Sequence, residues 1–393
     1  MSAATIACHT ARHARLNYAV SVAATFAMAA AVAGSAATSA APKIDHHVRL
    51  TPENSAIGNF PAQKTAILTI QSGQTVMIDT GGGAGWRNGN EDPAAWLTRN
   101  KVPARVSDPA VQETIAVLDK AVRYAGIQNG HLLVGPINVA GAVPGDSLEV
   151  RILSVVPRIP WGTTGASPGR SLKQAEGERP PAHVTVLDVK KGVGHFLPNV
   201  DVPLGPFMGV MGVQPKPSVG PNQSSSPPGD WAGNLDCAEL VAGTTLYLPV
   251  WVEGGRFFTG DAHAAQGDGE ITGTAIETAN TVTLQFILHK GTNLRMPRAE
   301  TPTHYIAFGL DADLENAMQQ AVDESVAIIN EKAGWTGSDM ALPLASMAVS
   351  YRVTQIVDFT KGVHAMIPKA LFDKLPKAAA TKPAAVTVAK VAP

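Results

Sequence analysis

Glycine and proline interrupt this chain so often that long regular elements have little room, with 37 glycines and 29 prolines among 393 residues. Glycine weakens a helix through its conformational freedom, and proline through its missing N–H and fixed φ. Only two segments hold apolar residues at helical spacing. The first opens at Asp108-Pro109, carries Val111, Ile115, Leu118 and Val122, and closes at Gly126. The second runs from about Asp311 to Lys332, with Leu314, Met318, Val322, Val326 and Ile329 as its stripe and Gly334 as its stop. Elsewhere short β-prone runs lie between turn residues. Segments 66–70 and 75–79 flank Gln71-Ser72-Gly73-Gln74, 147–153 alternates behind the turn Val143-Pro144-Gly145-Asp146, and 244–252, 281–288 and 305–310 follow. The expected class is therefore mainly β (α+β), with β-sheets packed in a sandwich-like arrangement and two amphipathic helices against them.

The first forty residues read as an export signal. Arg12 and Arg15 precede an apolar run from Tyr18 to Ala33, and small residues follow at Gly34-Ser35-Ala36 and Thr38-Ser39-Ala40. A periplasmic or secreted protein is the expectation, with residues 41–376 as one unit and 377–393 as a disordered tail. No later segment is long and apolar enough to span a bilayer, so no membrane role is expected once the signal is cleaved. Loss of the two arginines takes the formal charge from −1 to −3, which gives no electrostatic reason to expect nucleic acid. Cys8 leaves with the signal, so Cys237 alone remains and a disulfide framework is excluded. Exposed strand edges make homo-oligomerisation a general possibility.

The chemistry concentrates in Gly260-Asp261-Ala262-His263-Ala264-Ala265-Gln266-Gly267-Asp268-Gly269-Glu270. On a strand, the spacing of two sends Asp261 and His263 to one face, and the glycines allow a turn that returns Asp268 and Glu270 toward it. Asp236, Asp261 and His263 make a nitrogen and oxygen ligand set for a divalent ion, zinc first. Calcium is the rival and would make the ion structural. Glu270 or Asp268 would then move protons as the catalytic group. Asn234 and Gln266 are candidates for orienting a substrate, or for holding Gly-rich turns by bonding to the backbone. His131 is a further substrate-site candidate, with an ordinary hydrogen-bonded histidine as the bland reading. Cys237, with Glu239 and Lys290, permits a nucleophilic scheme, yet neighbouring carboxylates disfavour a thiolate and a lone small cysteine is more often core.

Four segments resemble the acetamidase/formamidase family across roughly residues 50 to 373. They are His131–Ile137 with Gly141–Asp146, Gly205–Val213, Pro228-Gly229-Asp230-Trp231-Ala232-Gly233-Asn234-Leu235-Asp236-Cys237, and the acid-rich stretch from Gly260 to Glu270. The resemblance implies hydrolysis of a short linear carboxamide of the formamide or acetamide type to a carboxylate and ammonia. The chain departs from the family pattern at Ala232, where glycine is customary, and at Ser350, where an acid is usual. A catalytically inactive, exported small-molecule binding protein on the same scaffold is therefore the competing class. A larger extracellular amide is a third possibility, with loops 157–182 and 214–229 as its specificity wall.

Overall fold

The computed structural model describes residues 42–82, 92–102, 105, 107–127, 129–165 and 182–375. The expected export signal, the tail after 376 and most of loop 157–182 lie outside these residues.

Two large sheets carry the fold. In the first, nine strands run in the order His46–Val48, Thr75–Asp79, Asn280–His289, Ser147–Pro157, Thr245–Pro249, Arg298–Glu300, His304–Asp311, Lys361–Pro368 and Ser350–Gln355. In the second, Val200–Pro203, Val193–Leu197, His183–Asp188, Trp161–Thr164, Glu277–Thr278, Phe257–His263, Phe207–Gly212 and Ala232–Asn234 follow one another. Leu132–Val139 also pairs with Phe257–His263, and through it Ser55–Ile57 and Leu68–Ile70 join this sheet.

Both sheets feed one apolar core. Ile78, Leu148, Val150, Val282, Leu284 and Phe286 from the first sheet pack with Val134, Ile137, Met208, Val210, Phe257 and Phe258 from the second. The rings of Phe257 and Phe286 meet edge to face at 5.0 Å, the arrangement aromatic quadrupoles favour. This is the sandwich-like, mainly β architecture expected from the punctuation.

Three details sharpen or differ from the sequence reading. Leu68–Ile70 and Thr75–Asp79 are the two strands expected there, and the turn between them carries the chain from one sheet to the other. Alternation specifies which face is buried and leaves the partner open. The first long helix, Pro109–Lys120, stops before Val122, which is 60% exposed. The Arg123 guanidinium donates to the Leu118 carbonyl and so occupies one of the helix's terminal acceptors. The second long helix, Leu314–Ala333, starts at an Asp313 cap and ends at left-handed Gly334 as expected; Ile329 of the expected stripe is buried and Leu314 and Val326 pack on the core, while Ala317, Ala321, Ser325 and Ile328 bury the rest of the face. Met318 faces outward. The cause lies beneath the helix: a side chain on Gly309 would come within 1.9 Å of the Ala317 carbonyl oxygen, so the helix rests directly on the His304–Asp311 strand and only small residues fit the contact.

Two shorter helices, Pro93–Arg99 and Ala341–Ala348, were not expected. The chain becomes extended after the second only at Ser350.

Candidate active site

The second sheet brings the candidate ligands together. Asp261 and His263 lie on the Phe257–His263 strand, and Phe207 and Glu277 sit opposite His263 on its two neighbours. The Phe207 ring packs edge-on against the imidazole at 4.9 Å. Buried Asn280 ties this end of the sheet by donating to the carbonyls of His263 (3.1 Å) and Phe207 (3.2 Å). The ladder between Phe207–Gly212 and Phe257–His263 skips the Gly209 and Asp261 positions, and Asp261 takes φ +56° there. Asp236 (φ +48°) and Glu270 (φ +43°) share that left-handed backbone. For a non-glycine residue this conformation costs about 1–3 kcal/mol and persists where the surroundings enforce it.

Asp236, Asp261 and His263 offer ligand atoms within 4.8 Å of one another, as the sequence reading expected. Glu270 also enters the cluster, within the same span of His263 and Glu277 on one side and of Asp236 and Asp358 on the other. The Gly-rich turn returns Glu270 through two backbone bonds, Gly269 N–H to the Thr354 carbonyl and Ile356 N–H to the Gly269 carbonyl. Gln355 holds the loop bearing Asp358 by accepting the N–H groups of Val357 (2.8 Å) and Asp358 (3.1 Å). Asp268 does not join them. It is half-exposed, 4.0 Å from the Arg352 guanidinium, and lines the cleft over the cluster without entering the buried ligand sets.

The remaining candidates surround the cluster. Asn234 donates to Asp358 at 2.8 Å, while its own carbonyl oxygen is buried without a partner. Gln266 donates to the backbone carbonyl of Asp236 at 2.6 Å and leaves its Oε1 buried and unpartnered. The Nδ1 of His131 lies 3.1 Å from the Ser225 hydroxyl and 3.2 Å from the Ser225 carbonyl, and its Nε2 is 3.7 Å from Asp261. Ser225 belongs to segment 214–229, which was read as a structureless loop but contributes the strand Asn222–Ser224, paired with Asn59–Pro61.

The fully buried His263 thus shares its cluster with five buried carboxylates: Asp236, Asp261, Glu270, Glu277 and Asp358. Burial, reinforced by Glu270 and Asp261, pushes the Asp236 carboxyl well above its ordinary value. Burial does the same to Glu270, with Glu277, Asp358 and Asp261 adding to it against His263. Burial works to lower His263, but Glu277 and Asp261 outweigh it and hold the imidazole well above its usual range.

The donor set fits a divalent cation. Among the described residues, both oxygens of Asp236 and Nδ1 of His263 are buried without hydrogen-bond partners, and His263 Nε2 lies 3.3 Å from Asp261 and 3.2 Å from Glu277. Buried polar atoms are rarely left so. Gly209 supplies the space: a Cβ there would fall 2.5 Å from Asp236 Oδ1, 2.6 Å from Asp261 Oδ2 and 2.9 Å from His263 Cε1.

A cleft of about 600 Å³ opens over this cluster, lined by Gln266, Glu270 and apolar side chains including Phe196, Val202, Ile271 and Ile276. Glu270 is the carboxylate common to the cleft and to the buried ligand sets.

Cys237 turns away from the reaction. It is fully buried, its thiol donates to Glu239 at 3.3 Å, and burial with the Glu239 charge pushes its pKa well up. Lys290, the third member of the nucleophilic scheme, is bonded to Asp146 (2.6 Å) and the Gly141 carbonyl instead.

Glu277, Asp358, Gly209 and Asn280 were missed in the sequence. Glu277 and Asn280 are polar residues within the run Ala275-Ile276-Glu277-Thr278-Ala279-Asn280, where an acid bounded by small and β-branched residues is the available signal. Ala232 stands at φ +64°, a conformation glycine adopts freely, which accounts for the glycine customary there.

The acetamidase/formamidase family profile matches residues 110–226 and 221–374. A formamidase of Methylophilus methylotrophus is 27% identical over 331 residues, 64% of this chain and 79% of that protein. An acetamidase of Mycolicibacterium smegmatis is 25% identical over 311 residues, 58% and 76% of the two chains. The crystal structure of an acetamidase from Yersinia enterocolitica superposes with a TM-score of 0.68 at 27% identity, covering 85% of this chain and 94% of that one. The chain belongs to the acetamidase/formamidase family, hydrolases of linear amides.

Proposed function

We propose that this amide hydrolase converts a small linear carboxamide and water to a carboxylate and ammonia around a divalent ion, zinc, held by Asp236, Asp261 and His263. The single observation that carries this reading is the position of Glu270, which joins the open cleft to a buried ligand set with orphaned donor atoms. A nitrogen donor among few oxygens suits zinc better than calcium, which takes six to eight oxygens. The ion would supply Lewis acidity toward the amide carbonyl and toward water. Glu270 takes the proton that the attacking water loses and delivers it to the departing nitrogen. Gln266 Oε1 accepts the N–H of the substrate amide, while its Nε2 anchors the Asp236 backbone. Asn234 positions Asp358, and His131 positions Asp261.

The competing reading, a binding protein without turnover, draws on the export signal and on Ser350. That residue is exposed at the start of an edge strand and belongs to none of the ligand clusters, so it gives no support to lost activity. The apolar lining of the cleft does favour one extension, acceptance of longer acyl chains than acetamide. Among the described residues no helix is long and apolar enough to cross a membrane. Export remains part of the proposal, supported by the charged start and the apolar run before residue 40; an intact N-terminus on the protein recovered from cells would refute it. Ammonia release from formamide, acetamide, propionamide and hexanamide, before and after chelation and zinc restoration, tests the whole reading. Turnover unaffected by complete metal removal overturns the role of the ion, and no ammonia from any amide overturns hydrolysis.

A further inference from the structure

A second cluster lies beside the first and has no part in the reaction described above. Cys237, the residue after Asp236, brings its Sγ within 3.3 Å of Glu239 Oε2, and His364 Nε2 lies 3.3 Å from the same oxygen. The three atoms fall within 4.8 Å of one another. A tetrahedral zinc with Zn–S of about 2.3 Å and Zn–N and Zn–O of about 2.0–2.1 Å separates its ligand atoms by roughly 3.3–3.6 Å. The two separations, both 3.3 Å, lie at the lower end of that span.

The outer atoms of the same side chains are already engaged. His364 Nδ1 meets the Thr354 hydroxyl at 2.9 Å, and Glu239 Oε1 accepts from Arg352 at 2.8 Å. Such partners orient metal ligands by fixing the ring and the carboxylate. Cys237 and His364 are fully buried and Thr354 nearly so, which holds these side chains in place. His364 Nε2 is buried and aimed into the cluster, 3.3 Å from Glu239 Oε2 and outside hydrogen-bonding geometry among the described residues.

We propose that Cys237, Glu239 and His364 form a second, thiolate-containing zinc site, distinct from the aspartate-rich one. Thiolate and imidazole donors together select zinc among the common divalent ions. On binding, the Cys237 proton leaves to solvent and the sulfur lone pair forms the bond to the ion. The bond joins the Lys361–Pro368 strand, through His364, to the segment that carries Asp236. The site's role is to hold that segment in register.

Cobalt substitution of the full chain reads this site separately, because a thiolate ligand gives a near-ultraviolet charge-transfer band that carboxylates and imidazoles do not. The expected result is such a band in the wild-type protein, its loss in Cys237→Ala, and loss of one zinc equivalent per chain in both Cys237→Ala and His364→Gln. Asp261→Asn should lose a different equivalent and keep the band. A folded, cobalt-loaded wild-type protein without the band overturns the proposal. Unchanged zinc content in a folded Cys237→Ala does the same, and the wild-type spectrum decides the matter if the variants do not fold.

Discussion

Asp146 and Asp236 are both buried aspartates, and their environments are opposites. Asp146 accepts from the N–H of Val143 (2.9 Å), the N–H of Gly291 (2.9 Å) and the Lys290 ammonium (2.6 Å). Burial works to raise its pKa, but Lys290 and those two N–H groups bring it below the ordinary range. Asp236 has no hydrogen-bond partner on either oxygen, lies among other carboxylates, and sits on left-handed backbone. Burial alone therefore does not mark a functional acid. What separates the two is whether the fold gives the carboxylate hydrogen-bond donors, as at Asp146, or leaves both oxygens without them among the described residues, as at Asp236.

The largest effect that would sharpen this contrast is on turnover. Glu270→Gln keeps the shape and removes the proton carrier, so kcat should fall about 10²–10⁴-fold, the usual contribution of a general acid–base group. Circular dichroism should show the fold intact, and wild-type turnover would break the contrast. Gly209→Ala comes next, since its methyl would occupy the space between Asp236 and Asp261. It should lose the ion bound at the aspartate-rich site, together with activity, as read by metal analysis.

Stability then separates the two aspartates by sign. Asp146→Ala should destabilise by about 1–3 kcal/mol, the range for leaving buried partners unsatisfied. In chelated protein Asp236→Asn should be neutral or stabilising, because it relieves repulsion. The pH dependence follows the same division. Asp146, whose folded pKa is lowered, contributes stability that is present above its ordinary value of 3.8 and lost as pH falls through the folded value. Asp236 and Glu270 are raised, so chelated protein loses stability as pH climbs above the ordinary carboxyl range. His263, also raised, acts in the same direction: its contribution is full below 6.5 and lost as pH rises through the folded value. Thermal melts from pH 4 to 9 should slope downward without metal and flatten with zinc, and identical slopes would contradict the assignment. The smallest effect is at Ala232→Gly, which removes the left-handed strain at φ +64° and should add up to about 1 kcal/mol in a urea titration.

The sequence showed the fold class because punctuation by glycine and proline is a local property. It also showed that Asp261 and His263 would meet, since a spacing of two on a strand is local geometry. Glu277 and Asp358 were hidden because they arrive through sheet register and through the Gln355-held loop, which no local pattern encodes. Asp268 and Glu270 looked equivalent, two residues apart in one turn. The backbone bonds of Gly269 and Ile356 to and from the closing segment turn only Glu270 inward. The outward turn of Met318 on the second long helix has a related reason, since the close approach of Gly309 is invisible until the strand beneath is known.

Anomalous diffraction at the zinc edge from crystals of active protein should show a peak bounded by Asp236, Asp261 and His263. Crystals that release ammonia from an amide yet show no such peak would rule out an ion at these side chains.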